Sequence, residues 1–117
     1  EQRRVHFART LLQIDHQYDS IGNRYMFLDE PTANLDLLFE LQLIRLLKAK
    51  AEKGIGVLLI IHDLNLASKF SDKIAILKKG KLSAFGEPFE VFKSKTLSDI
   101  FGLAMDVDLK TLKVTYY

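Results

Sequence analysis

The sequence predicts an α/β fold built on a parallel sheet, and two observations carry that expectation. Two short, strongly apolar stretches, "YMFL" at 25–28 and "VLLII" at 57–61, read as strands, and a single long helical pattern of about 18 residues lies between them. Parallel strands need a crossover of this kind, because a tight turn can only reverse the chain. The second observation is the abrupt change of character at the end of each strand. Asp29-Glu30-Pro31 comes directly after the first and His62-Asp63 directly after the second. In open parallel sheets, ligands sit outside the carboxyl ends of the strands, so both changes fall where chemistry is expected.

Taken in order, the chain opens at Glu1 and runs at once into "QRRVHFARTLLQI", with Val5, Ala8, Leu11 and Leu12 at helical spacing. A helix over 2–13 is expected, and the chain reads as starting inside a longer protein. The polar "DHQYDSIGN" makes a loop before the first strand. Pro31 ends that strand, since it cannot donate to a ladder. "LDLLFELQLIRLLKAKAEKG" then places Leu37, Leu41, Ile44 and Leu47 on one helical face, with Gly54 as a C-cap. "VLLII", five consecutive aliphatic residues, is expected to be buried on both faces. "DLNLASKFS" reads as a short helix with Asp63 at its N-cap, and "KIAILKKGKLSAFG" alternates around "KKGK" as a hairpin. Glu87-Pro88 opens another helix, "TLSDIFG" makes one more with Gly102 past its end, and "DVDLKTLKVTY" closes as a terminal hairpin. Phe85, Phe89, Phe92 and Phe101 are expected in the core or between packed elements.

Composition narrows the classes of function. A chain of 117 residues with 48% hydrophobic and 27% charged content is about one globular domain. The 17 basic and 15 acidic residues leave a net charge of +2, and the only adjacent basic pairs are Arg3-Arg4 and Lys78-Lys79. Nothing in that distribution calls for a nucleic acid. The absence of cysteine excludes a disulfide framework and a thiolate metal site, which suits a reducing compartment such as the cytoplasm. The longest apolar run is far shorter than the roughly 20 residues of a membrane-spanning helix, so membrane association is expected to go through a partner.

The residues after the strands suggest a division of labour around a phosphate. Asp29, a carboxylate at a strand end, suits Mg²⁺, a hard cation that takes oxygen ligands and keeps several waters. Glu30 points the other way along an extended chain and is the candidate general base, able to polarise a water for in-line attack on a phosphoryl group. His62, from the neighbouring strand, can reach a terminal phosphate or the attacking water. Asp36 either caps the next helix or contacts a partner, and the two roles are compatible. His6 and His16 read as ordinary helix and loop residues.

Taken together these stretches resemble the ATP-binding cassette (ABC) proteins. "YMFLDEP" is similar to their Walker B motif, "ANLD" to the D-loop, "IIHDLNLA" to the H-loop switch, and "EQRRVHFARTL" to the end of the signature motif with its helix. The four occur in the family's order and cover nearly the whole chain. The resemblance implies the C-terminal portion of an ABC ATP-binding domain over 1–117: a partial parallel-sheet P-loop NTPase-like core with C-terminal hairpins and short helices. It assigns Asp29 to Mg²⁺ through water, Glu30 to catalytic base, Asp36 to contacts across a dimer interface, His62 to the γ-phosphate, and Glu1 and Gln2 to the end of the signature that faces nucleotide. The Walker A loop and the glutamine loop are not among these residues, and no "GxxxxGK[ST]" occurs.

The insertion "QIDHQYDSIGNR" and the segment "HDLNLASKFSDKIAILKKGKLSAFGEPFEVF" are most similar to importers of haem, siderophore-bound iron and vitamin B12, haem import first. That resemblance implies ATP and Mg²⁺ as cofactors. It also implies a homodimer of ATP-binding subunits bound to transmembrane permease subunits, with a periplasmic binding protein involved indirectly. The subunit would lie peripherally on the cytoplasmic face of the plasma membrane. A non-transport ABC ATPase acting on nucleic acid or the ribosome, and a fragment that binds without catalysing, are the alternatives.

Overall fold

The computed structural model describes residues 23–116, so the helix expected over 2–13, Gln2, His6 and His16 lie outside the described residues. The chain divides in sequence between His62 and Asp63 into two compact units.

The first unit contains β1 (Tyr25–Asp29), α1 (Leu37–Glu52) and β2 (Gly56–Ile60). The two strands pair in parallel, with Tyr25 opposite Gly56, Phe27 opposite Leu58 and Asp29 opposite Ile60. The expected parallel pairing joined through a helix is therefore present. Asp36 starts α1, its Oδ1 accepting the Phe39 N–H at 3.0 Å, and Gly54, with φ of +90°, comes after the C-cap residue Lys53. Left-handed backbone at this position is where glycine costs least.

The helix buries Leu43, Ile44, Leu47 and Lys50. This differs from the expected face, because Leu37 is exposed at the first turn. Met26, Leu43, Leu47 and Ile55 form the unit's core, with Leu28, Val57 and Leu59 packed against it.

One expectation is overturned. Period-2 geometry puts Met26, Leu28, Val57 and Leu59 on one side of the sheet and Tyr25, Phe27, Leu58 and Ile60 on the other. The first side packs in the core. On the second, Phe27 is 73% and Leu58 57% exposed. The unbroken apolar run of β2 implies burial on both faces, yet Leu58 and Ile60 are exposed, and among the described residues only the other face is packed. Tyr25 lies across from Gly56, its ring occupying the space that a side chain at Gly56 would need.

The second unit contains α2 (Leu64–Phe70), β3 (Ile74–Lys78), β4 (Lys81–Gly86), α3 (Pro88–Val91), α4 (Ser94–Phe101), β5 (Met105–Val107) and β6 (Val114–Tyr116). β3 and β4 form the expected hairpin, turning through Lys79 and Gly80, both at positive φ, with a register shift between Ile76 and Leu77. Two consecutive left-handed residues suit the twist of a tight hairpin. β5 and β6 form the terminal hairpin, with Val107 opposite Val114.

The core gathers Ile74, Ile76, Val91, Phe92, Leu97, Met105, Val107 and Val114, and Phe92 and Leu97 are 1% and 0% exposed. Of the four phenylalanines expected inside, only Phe92 is buried. Phe85, opposite Ala75 on the outer side of the hairpin, and Phe89 and Phe101 on helices are exposed. Among the described residues no helix is long and apolar enough to cross a membrane.

Candidate functional site

The site is built where β1 and β2 end side by side. The β1 ladder closes with a bond from the Glu30 N–H to the Ile60 carbonyl at 3.0 Å. The chain leaves the sheet at Glu30 itself, whose φ is +45°. A non-glycine residue in left-handed backbone costs roughly 1–2 kcal/mol, and such residues concentrate where a side chain has to be aimed. The next turn is held by bonds from the Ala33 N–H to the Glu30 carbonyl (3.1 Å) and from the Leu35 N–H to the Thr32 carbonyl (3.1 Å). Strand alternation predicts an extended chain through Glu30 that stops at Pro31. The strand stops one residue earlier, and Glu30 is aimed by the turn instead.

That turn brings Glu30 to His62, which comes just after β2. The imidazole Nε2 lies 2.5 Å from Glu30 Oε1, across 32 residues of sequence. The carboxylate is the acceptor, so Nε2–H is the donor. His62 is 81% exposed and Glu30 45%, so solvent screens the pair and it adds little to stability. Its importance is positional, since it fixes one proton donor and one proton acceptor at adjacent strand ends.

Of the expected site residues, the structure joins Glu30 and His62. Asp29, the last residue of β1, is exposed on the side of the sheet that carries Phe27. Asp36 is occupied in capping α1. Gln2 lies outside the described residues. Reading side chains alone misses the Ile60 carbonyl, which anchors the Glu30 turn; a backbone acceptor leaves no side-chain signal.

Among the described residues no three His, Asp or Glu side chains converge on a common metal position. The donor chemistry here, one exposed carboxylate beside an acid–imidazole pair, fits a cation held largely by water and by a ligand's own oxygens, as Mg²⁺ is.

Two parallel strands joined by a helical crossover, with an acid–imidazole pair at their ends, make this an α/β protein, and the comparisons bear out the resemblance to ABC ATP-binding proteins. The chain is 39% identical over 108 residues to the hemin import ATP-binding protein HmuV of Rhodopseudomonas palustris, a match covering 92% of this chain and 40% of the relative. Against the protein of the same name from Bradyrhizobium diazoefficiens it is 43% identical over 101 residues, covering 86% of this chain and 38% of the relative.

A solved structure described as a metal-chelate type ABC transporter in an inward-facing conformation superimposes with a TM-score of 0.68 at 25% identity, over 80% of this chain and 40% of that one. No family model matches the sequence. The chain thus spans about two fifths of the length of the curated relatives it matches.

Proposed function

We propose that residues 1–117 form the C-terminal portion of the ATP-binding protein of an ABC importer, contributing the hydrolytic side of its nucleotide site, with haem or an iron chelate as cargo. The observation that carries this is the Glu30–His62 pair at the ends of two adjacent parallel strands, in a chain similar to hemin import ATP-binding proteins.

Glu30 acts as general base. Its carboxylate takes a proton from water, the water oxygen attacks the γ-phosphorus, and the bond to the bridging oxygen of ADP breaks as ADP leaves. His62 donates from Nε2, and a γ-phosphate oxygen is an acceptor of the same kind as the Glu30 oxygen it now meets. Asp29 would hold Mg²⁺ through water, and the bound ion would offset phosphate charge. Asp36, while capping α1, faces a second copy of the protein, and Gln2 closes the signature segment toward nucleotide. The phosphate cradle, the Walker A loop, is supplied from outside these 117 residues, within a P-loop NTPase-like core that they partly form. Transmembrane permease subunits are the direct partners and a periplasmic binding protein the indirect one. The protein sits peripherally on the cytoplasmic face of the plasma membrane.

The test uses the full-length protein. Glu30→Gln removes the base while keeping shape, so ATP binding stays near wild type and turnover falls by about 10² or more. Wild-type turnover in this variant removes Glu30 from the mechanism. Co-purification with a permease supports the importer, whereas salt-dependent retention of RNA or DNA in its place points to the nucleic-acid ATPase.

A further inference from the structure

We infer that the tip of the β3–β4 hairpin is a membrane-contact surface, its lysines taking anionic lipid headgroups and its leucine pair reaching the layer beneath them. The surface lies wholly within the second unit and stands apart from the nucleotide site.

The hairpin has a rooted half and a projecting half. Ile74 and Ile76 of β3 lie in the core, and Ala84 of β4 packs against it. The strand register shifts between Ile76 and Leu77, where the hairpin leaves the core. From there every residue from Leu77 to Ser83 is exposed. Lys79 and Gly80, at φ of +50° and +73°, turn the chain at the far end.

The projecting part, "LKKGKL" at 77–82, holds three lysines in four positions, and no acidic residue occurs between Asp72 and Glu87. Cross-strand partners share a face. Leu77 opposite Leu82 and Lys78 opposite Lys81 therefore give the tip an apolar pair on one side and a basic pair on the other, with Lys79 adding a third charge at the turn. Leu77 is 68% and Leu82 60% exposed.

The charges are also unbalanced. Elsewhere in this unit Lys73 meets Glu87 at 3.4 Å and Lys95 meets Asp99 at 3.2 Å. Lys78, Lys79 and Lys81 form no ion pair among the described residues. Like charges directly opposite one another weaken a hairpin, and an anionic partner removes that cost.

The leucines decide which anionic partner fits. An acidic protein segment or a nucleic acid would use the lysines alone. A bilayer containing anionic lipid uses both features. With the turn pointing toward it, the ammonium groups lie among the headgroups, the lysine stems run along apolar surface, and Leu77 and Leu82 enter the boundary with the acyl chains. Each lysine near such a surface strengthens binding by about fivefold, so the contact is reversible and sensitive to salt.

The experiment is co-sedimentation of the full-length protein, purified without other subunits, with vesicles of phosphatidylcholine alone and of phosphatidylcholine mixed with phosphatidylglycerol. Binding is expected on the mixed vesicles only, and to weaken as salt is raised. Lys78→Gln, Lys79→Gln and Lys81→Gln together are expected to lower affinity roughly 10²-fold, with ATP turnover and melting temperature unchanged. Should that triple variant fail to fold, Lys79→Gln alone is expected to lose about fivefold. Leu82→Ser is expected to weaken binding at low and high salt alike, because the apolar contribution is not screened. The inference is overturned if the parent protein binds neither vesicle or both equally, or if the lysine substitutions leave binding intact. It is overturned too if Leu82→Ser binds like the parent but melts lower, which would place that leucine inside the full-length protein. Loss of retention on RNA or on detergent-solubilised permease, with vesicle binding unchanged, also overturns it, because the lysines then serve a nucleic acid or an acidic protein surface.

Discussion

The two units of the chain handle apolar surface and backbone edges in opposite ways. The second closes on itself. Eight residues from strands, helices and the link after α3 share one core, Phe92 and Leu97 lie fully inside, and three side chains, Asn65, Ser94 and Ser98, satisfy the outer edges of the terminal hairpin. The first covers one side of its two-stranded sheet with α1 and leaves Tyr25, Phe27, Leu58 and Ile60 exposed on the other. Yet it is the first that carries the acid–imidazole pair. The acid–imidazole pair thus lies in the unit whose sheet leaves apolar surface exposed, and the closed core lies in the other.

The largest expected effect tests whether the first unit is functionally incomplete. The 117-residue chain alone should neither hydrolyse ATP nor bind Mg·ATP tightly. Phosphoryl transfer depends on positioning and charge stabilisation, and no phosphate-wrapping loop with its lysine occurs in these residues. Asp29 and Glu30, without such an offset, repel a triphosphate. Calorimetric titration with Mg·ATP checks this, and micromolar affinity would break the contrast between the units.

A smaller effect compares their packing. Leu97→Ala empties a site of 0% exposure and should cost about 2–5 kcal/mol in urea unfolding of the chain. Phe27→Ser, at 73% exposure, should stay within about 0.5 kcal/mol there. If further elements of the full-length protein cover that face, the same substitution should there cost about 2 kcal/mol. Equal effects of Phe27→Ser in the two contexts would show that the open face stays open.

The smallest effect is confined to the second unit. At the tip of the terminal hairpin Asp108 accepts the backbone N–H groups of Thr111 (2.9 Å) and Lys110 (2.8 Å), which hold its carboxyl below the usual carboxylate range. A lowered value in the folded state means stability that is present above the ordinary value and lost as pH falls through the lowered one. Asp108→Asn should therefore remove a small increment of stability at neutral pH, match the unsubstituted protein in acid, and so flatten the acid limb of the stability curve below about pH 4. An unchanged acid limb, measured by thermal melts across pH, removes Asp108 from this role.

Much of this was legible from residue order. Every strand, helix and hairpin expected within the described residues is present, because each has a local cause: Asp36 and Asp63 as caps, Gly102 at φ +71° closing α4, Lys79-Gly80 turning the hairpin. The pairing of Glu30 with His62 was foreseeable in outline, since parallel strands joined through a helix must end side by side. Errors arose where burial depends on neighbours. Leu37 and Phe85 are as apolar as Leu43 and Phe92, and no local pattern records which of them another element will cover.

By itself, then, the sequence determined the local elements, the parallel order of the two strands and the identity of the acid and imidazole, all of which come from short-range dihedral preferences and strand connectivity. Only the tertiary structure decided that Glu30 leaves the sheet in left-handed backbone, that Tyr25, Phe27, Leu58 and Ile60 on one face of β1 and β2 are exposed, and that Asn65 reaches Val114. Those outcomes depend on contacts between residues tens of positions apart, and their energies come from groups that carry no mark of one another along the chain.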